Sequence, residues 1–292
     1  METIDFVTPK TLRDAVAAMA AKGEHARPLA GGTDILVQLR SGRRKAELLV
    51  DVKEVPELNQ LSCSPRNGLE LGAAVPCYRI YQNQAVSSAY PGLIDAASLI
   101  GGIQIQGRAS IGGNLCNAAP SGDSIPPIIV LGGVCTIAGA NGTRQVASED
   151  FCTGPGRNVL RPGELLVSIH FPPPPAHSGA NYLRFIPRNE MDIAVAGVAS
   201  AVVLDRRGRS FVSARIALAS VAPTPVFCRK AAESLVGKEV SEEAIEAAAQ
   251  LAMADCKPIN DMRGTIPQRV HLVGVLTRRT LRTAIRRARG EE

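Results

Sequence analysis

Two short glycine-bearing segments carry the residue types that could do chemistry. The first, Ala30-Gly31-Gly32-Thr33-Asp34, follows Arg27-Pro28-Leu29 and precedes the apolar Ile35 and Leu36. A glycine pair between a strand and a helix lets the backbone approach a ligand closely and aims several N–H groups at one point. With a helix N-terminus behind it, that point suits an anion such as a pyrophosphate. Thr33 adds a hydroxyl donor. Asp34 is awkward beside a phosphate, so it either caps the helix or turns away. By itself the segment reads as a plain tight turn or as a phosphate cradle.

The second segment is longer, from Arg108 through Ser110-Ile111-Gly112-Gly113-Asn114 to Asp123. Gly112 and Gly113 repeat the same backbone freedom between Ser110 and Asn114, which are expected to act as donors. Asn117, Ser121 and Asp123 add further hydrogen-bonding groups. A stretch this polar between apolar runs is either an exposed loop or the lining of a cofactor site. Neither segment has the Gly-x-Gly-x-x-Gly or the Gly-x-x-x-x-Gly-Lys-Ser/Thr spacing, so a Rossmann fold and a P-loop are both disfavoured. Two such segments about 80 residues apart suggest a cofactor held between two subdomains.

The elements that must position them follow from periodicity and punctuation. Ile4 to Val7 reads as a strand. Thr8 and Pro9 offer a helix start, Leu12, Ala15, Val16 and Met19 repeat at helical spacing, and Gly23 offers a stop. A strand from Arg27 to Ala30, a short helix at Ile35 to Leu39 and a buried strand at Leu48 to Asp51 complete a first subdomain, 1–55. A second, 56–175, alternates strands (Leu69 to Ala74, Val134 to Ile137, Leu165 to Phe171) with helical stretches such as Leu93 to Leu99. Pro172 to Pro175 can continue neither sheet nor helix and mark a linker. Beyond it, 176–292 predicts a hairpin, Ile193 to Leu204 returning as Phe211 to Val221. Helices follow at Arg229 to Leu235, Glu242 to Ala254 and Ile266 to Arg289. Strands first and helices later is the pattern of a separate α+β domain.

The whole chain narrows the function classes. At 292 residues it is long enough for two cores, and with aromatics at 3% and no Trp these rest on Leu, Ile, Val and Ala. No apolar run approaches the roughly 20 residues of a membrane-spanning helix. The N-terminus lacks the features of a signal peptide, so a cytoplasmic chain without a membrane span is expected. The seven cysteines, at 63, 77, 116, 135, 152, 228 and 256, include no Cys-x-x-Cys pair and announce neither zinc nor an iron–sulfur cluster. Any redox chemistry then belongs to an organic cofactor or to another chain. His25, His170, His177 and His271 have no partner at metal spacing. The +6 net charge is concentrated in six arginines between Arg278 and Arg289, beside an apolar stripe of Leu281, Ala284, Ile285 and Ala288. That face is solvated or docks on an acidic partner subunit. No aromatic residues accompany it, so nucleic-acid binding is not expected.

Four motifs in order resemble the FAD-binding subunit of the molybdenum hydroxylase family, of the xanthine dehydrogenase and carbon monoxide dehydrogenase type. They are Gly31-Gly32-Thr33-Asp34, Ser110 to Asp123, Gly163-Glu164-Leu165-Leu166, and Phe185-Ile186-Pro187-Arg188 through Asp192-Ile193-Ala194. The resemblance covers essentially the whole chain. It implies an α+β protein: a two-subdomain FAD-binding domain of the PCMH or vanillyl-alcohol-oxidase type (1–175), then a smaller α+β C-terminal domain. Leu29, Ala30, Gly31, Gly32, Thr33, Asp34 and Ile35, with Ser110, Ile111, Gly112, Gly113 and Asn114, would hold the FAD pyrophosphate and ribityl chain. Asp123 would accept hydrogen bonds on the nucleotide side. Leu166, and with it Ile100, would pack near the isoalloxazine ring. Arg184 stands where these proteins usually carry Lys and would lie near the flavin.

In family terms the chain has no catalytic residue of its own and binds no metal. A large partner subunit carries the molybdenum–pterin cofactor and a small one the [2Fe–2S] clusters, the whole forming a dimer of heterotrimers. The chain lacks the cysteine-rich insertion after the second motif that marks the benzoyl-CoA-reducing branch, which leaves the aerobic hydroxylases. Two other classes stay open on the residues: a free-standing FAD-dependent oxidase or reductase, and a non-redox assembly or nucleic-acid-binding protein.

Overall fold

The computed structural model describes residues 3–291. The first layer is small: β1 (Asp5–Val7), α1 (Leu12–Lys22), β2 (Ala26–Leu29), α2 (Ile35–Arg40) and β3 (Leu48–Asp51). The strands are parallel in the order β1-β3-β2. The cap of α1 is Thr11, whose hydroxyl accepts from the Asp14 N–H, rather than Thr8, so the helix begins one turn later than Thr8-Pro9 suggests. Gly23 ends it with φ +52. Ala15 and Met19 face inward and meet Val50, Val52 and Leu58 in a compact core.

The second layer is a five-stranded antiparallel sheet in the order β4-β5-β10-β6-β7. After α3 (Pro56–Asn59) come β4 (Leu61–Ser64) and β5 (Gly68–Gly72), then six short helices: α4 (Cys77–Gln82), α5 (Gln84–Ala89), α6 (Pro91–Ala97), α7 (Ile103–Gln106), α8 (Ile111–Asn117) and α9 (Ile125–Val130). The chain returns through β6 (Val134–Gly139), β7 (Gly142–Ala147), the small hairpin β8 (Cys152–Gly154) and β9 (Arg157–Asn158), and β10 (Leu165–Phe171). β10 lies between β5 and β6 and reads as a nearly continuous apolar run because both of its faces are covered. The four prolines that follow are anchored: the Tyr90 hydroxyl donates to the Pro172 carbonyl at 2.9 Å.

The third layer is an antiparallel sheet, β11 (Ser178–Phe185), β12 (Ala196–Leu204), β13 (Phe211–Ala219) and β14 (Val226–Phe227), with α10 (Arg229–Glu233), α11 (Glu242–Ala254) and α12 (Ile266–Arg289). The hairpin expected from the Ala/Val-rich run is β12–β13, joined at Asp205 to Ser210. β12 is small-residue-rich because α12 covers one side of it and α9 packs on it from the second layer. Tyr182, Ala199 and Ala217 of this sheet complete the core of the second layer, so the third layer is a wall of the molecule rather than an appendage.

Leu281, Ala284, Ile285 and Ala288 are buried, as their stripe predicts. Four arginines of the same helix turn to the protein: Arg278 pairs with Glu246, Arg282 with Glu242 and Arg287 with Asp95, while Arg289 donates to the Gly208 carbonyl. At Gly179 a Cβ would stand 2.1 Å from the Ala284 carbonyl oxygen and 2.6 Å from the Ala288 nitrogen, so β11 and α12 touch backbone to backbone. Gly179→Ala is therefore expected to destabilise the chain by about 1–3 kcal/mol, read as a lowered melting temperature. A melting temperature equal to that of the unaltered chain would show that the helix rides further from the sheet.

Candidate functional site

A cleft of about 530 Å³ lies between the first and second layers. Of the residues expected to form a site, it is lined by Ala30, Gly31, Gly32, Thr33, Asp34, Ile35, Ser110, Gly112, Gly113, Asn114 and Leu166, and also by Ile100. Leu29 and Ile111 stand behind its surface as buried core residues, at the end of β2 and the start of α8.

The glycines are needed for three different reasons. Gly32 has φ +79, which side-chain-bearing residues rarely adopt. A Cβ on Gly31 would lie 2.0 Å from the Arg108 carbonyl oxygen, so the two segments meet directly. A Cβ on Gly112 would fall 2.5 Å from both Cα and O of Ala73, which seats α8 on the second layer. Gly113 is different. Its imagined Cβ meets only the Ser110 hydroxyl, at 2.9 Å, so its bareness serves the cleft rather than the packing.

The second segment opens a helix instead of forming a loop. Ser110 is the cap of α8: its hydroxyl accepts from the Gly113 N–H at 3.0 Å, and its carbonyl accepts from the Asn114 N–H. Ser110 thus spends its hydroxyl as an acceptor within the chain. The Asn114 Oδ1 accepts from the Ser124 hydroxyl at 2.7 Å, an orientation that frees the amide NH2 toward the cleft. A bridge from the Gln38 amide to Asn117 Oδ1, 2.8 Å, ties α2 to α8 one turn further along. Those two residues are 79 positions apart, and nothing in the sequence pairs them.

The polarity of the cleft favours an anion. Among the described residues the N–H groups of Gly31, Gly32, Thr33 and Asp34 donate to no protein acceptor. Asp34 makes no side-chain cap to α2, and protein crowding around its carboxyl pushes its pKa up although the residue stays partly exposed. Four arginines that sequence reasoning passed over also line the walls: Arg27, Arg44, Arg157 and Arg161. Burial, and then the neighbouring Arg44, lower the pKa of Arg27, and its Nε is buried without a partner. The one available signal was position, since Arg27 opens the strand that leads into the first glycine segment. Glu164 brings no free charge, because Arg144 holds both of its oxygens, at 2.9 and 2.7 Å, and keeps its carboxyl low.

Asp123 and Arg184 do not line the cleft. Asp123 accepts from the Tyr182 hydroxyl at 2.7 Å and from Arg184 Nη1 at 2.5 Å, all three side chains being buried or nearly so. Burial pushes the Asp123 carboxyl up against the opposing pull of Arg184 and Tyr182, and it drives the Tyr182 phenol well above its ordinary value. Ser124, next to Asp123, is the residue that orients Asn114, so this cluster braces the cleft wall from behind. The exposed Arg188 and the largely covered Asp192 form an i,i+4 pair at 3.5 Å, and Arg263 lies 3.8 Å from the same carboxylate.

An elongated cleft with unpaired backbone donors, guanidinium groups and an apolar stretch at Leu166 and Ile100 is a site for an anionic cofactor with a flat apolar part. Residues 2–174 match the family described as the FAD binding domain in molybdopterin dehydrogenase, and residues 181–284 match the CO dehydrogenase flavoprotein C-terminal domain. The xanthine dehydrogenase FAD-binding subunit of Escherichia coli O157:H7 is 32% identical over 96% of each chain. The carbon monoxide dehydrogenase medium chain of Afipia carboxidovorans is 33% identical over 98% of each. Among solved structures, reconstituted CO dehydrogenase from Oligotropha carboxidovorans superposes with a TM-score of 0.92 at 32% identity, covering 98% of both chains. Quinoline 2-oxidoreductase from Pseudomonas putida 86 gives 0.89 at 28% identity, covering 99% of this chain and 98% of that one.

The chain belongs to the family of FAD-binding subunits of the molybdopterin dehydrogenases, which are oxidoreductases, and its cofactor is FAD. The mixed fold, with an FAD-binding domain followed by a C-terminal domain, is the one the resemblance implied. Among the described residues no helix is long and apolar enough to cross a membrane.

One consequence concerns pH. A carboxyl with a raised pKa is neutral over a wider range, and as pH falls through that range Asp34 stops repelling an anion beside it. FAD affinity is expected to rise as pH is lowered from neutral toward the Asp34 titration, above the ordinary carboxylate value of 3.8. Asp34→Asn should flatten that dependence in a fluorescence titration of FAD. An unchanged slope in the variant would place the titrating group elsewhere.

Proposed function

We propose that this chain is the electron-transfer subunit of a molybdenum hydroxylase complex, holding FAD between its first two layers and passing electrons from a partner to an external acceptor. The observation that carries the reading is the cleft itself: two glycine segments in backbone contact, presenting N–H groups without protein acceptors next to four arginines, of which Arg27 and Arg44 donate to backbone carbonyls. Gly31 to Asp34 and Gly112 to Asn114 would embrace the pyrophosphate and ribityl chain, and Leu166 and Ile100 would lie against the ring. Aliphatic side chains there exclude water without adding charge. Asp123, Arg184 and Tyr182 would act on the cofactor through Ser124 and Asn114, by holding the wall. When bound, FAD supplies redox chemistry in steps of one or two electrons.

The partners follow the same reading. The chain spans nearly the full length of a carbon monoxide dehydrogenase medium chain, and its likeness extends to solved CO dehydrogenase complexes. That supports a large molybdenum–pterin subunit and a small [2Fe–2S] subunit, assembled as a dimer of heterotrimers. A division into an FAD-binding domain over 1–175 and a C-terminal domain over 176–292 is supported by the anchored proline run that separates the second sheet from the third. A cytoplasmic location belongs to the same proposal.

The purified chain should be yellow, absorbing at about 450 nm, or should become so on reconstitution with FAD. Gly32→Val and Gly113→Val should each lose the flavin. The Gly113 variant is the sharper of the two, because a Cβ there meets only the Ser110 hydroxyl, at 2.9 Å, and its stability should fall by no more than the loss of that helix cap, about 0.5–2 kcal/mol. Full flavin occupancy in both would move the cofactor elsewhere. Recovery of the tagged chain from its source without molybdenum- or iron-bearing partners would remove the assembly from the proposal.

A further inference from the structure

The apolar end of the cofactor cleft continues onto the outside of the molecule. Ile100 lines the cleft, and the turn Gly101-Gly102 leads from it to Ile103, which stands 75% exposed at the start of α7. Met191 folds over this turn: a Cβ on Gly102 would meet its Cγ at 3.3 Å and its Sδ at 3.4 Å. Phe185 and Ile193, near the two ends of the same loop, are also exposed, and the Val195 N–H closes that loop on the Phe185 carbonyl. Met262 adjoins Arg263, which reaches Asp192 of the loop at 3.8 Å. Segments of the second and third layers thus set large apolar side chains in water beside the Ile100 end of the cleft. A folded chain rarely gathers such side chains in one exposed place without a ligand or partner for them.

The loop is also held against its own preference. Met191 has φ +53, a conformation that side-chain-bearing residues rarely adopt, and Arg188 donates to its carbonyl at 3.1 Å. The charges nearby are spent within the loops. Arg188 and Arg263 share the Asp192 carboxylate, and Glu190 adds an exposed one. This surface is therefore apolar without a surplus of positive charge, the opposite of the cleft walls around Gly31 to Asp34. A dinucleotide acceptor would have to place its phosphates beside carboxylates here. A flat, uncharged acceptor meets no such obstacle.

We propose that this surface takes up a quinone as the external electron acceptor, its ring against Ile103, Met191 and Ile193. The inference rests on the reading of the chain as an electron-transfer subunit whose flavin ring lies at Leu166 and Ile100. Two electrons and two protons pass from the reduced cofactor to the quinone, whose two carbonyl oxygens become hydroxyls while the cofactor returns to its oxidised form.

The test titrates menadione, a naphthoquinone without a lipid tail, calorimetrically into the chain at known FAD content. Separately, the photoreduced flavin is mixed without oxygen with menadione or with NAD, and its reoxidation is followed by absorbance. Binding is expected, with reoxidation at least tenfold faster by menadione than by NAD. Ile103→Ser/Ile193→Ser should weaken binding roughly tenfold or more, with FAD content and melting temperature unchanged because both side chains already stand in water. Met191→Asn should also weaken it without lowering the melting temperature, since Asn tolerates a positive φ. Val212→Ser/Val236→Ser removes exposed apolar surface at the other end of the third sheet and should bind menadione as the unaltered chain does. A FAD-loaded chain that does not bind menadione, that loses affinity equally in both double variants, or that NAD reoxidises as fast, overturns the proposal and leaves the electron-transfer reading standing. A chain that takes up no FAD overturns both.

Discussion

Any side chain at position 31 would put its Cβ 2.0 Å from the Arg108 carbonyl oxygen, so the turn after β2 and the approach to α8 meet backbone to backbone. Everything about the cofactor cleft depends on that approach. It brings a parallel β-α-β unit and an antiparallel sheet to one seam, where the donors of the first segment stand opposite the start of α8. Gly112, seated on Ala73, fixes the same helix to the second layer, and the Gln38–Asn117 bond repeats the tie between layers. Backbone contacts hold such a seam more narrowly than side chains could, because they have no rotamers to adjust.

The third layer extends this construction. The Asp95 carboxylate of α6 accepts from Asn181 at 2.6 Å, from the Tyr182 backbone at 3.1 Å, and from two nitrogens of Arg287 at 2.7 and 3.1 Å. One carboxylate thus joins the second layer to β11 and to α12. Beside it, the chain of contacts from Arg184 through Asp123 and Ser124 reaches Asn114 on the cleft wall. A change deep in the third layer can therefore alter the cofactor wall without touching the cofactor. Four arginines of α12 belong to the same economy of charge, since partners on α11, α6 and the β12–β13 turn already engage Arg278, Arg282, Arg287 and Arg289.

Much of this was legible in the residues. α11 and α12 run over the residues expected of them, and β3 and β10 stand where their apolar runs do. Both glycine segments reach the cleft. Less legible were elements whose stability comes from elsewhere. β11 carries Gly179, Asn181 and Arg184, which look wrong for a strand until α12 and Asp95 are set against them. The helix of Ser110 to Asn117 hid behind its glycines and asparagines, which favour loops in isolation; the serine cap and contact with Ala73 reverse that preference. Asp123 and Arg184 are 61 positions apart, and only the fold turns both inward to each other.

The charges at the cleft point to what the polypeptide contributes there. Glu164 is locked by both arms of Arg144 and held in its ionised form, while Asp34 is pushed toward neutrality and caps nothing. Neither is set against a second titrating group in the way that proton transfer at a substrate demands. What the walls offer instead is a positive field, oriented N–H groups and the aliphatic surface of Leu166 and Ile100. Those features suit a dinucleotide: a positive field for its phosphates and an apolar surface that keeps water from one face. A chain built this way contributes by placing a redox cofactor, not by acid–base chemistry of its own.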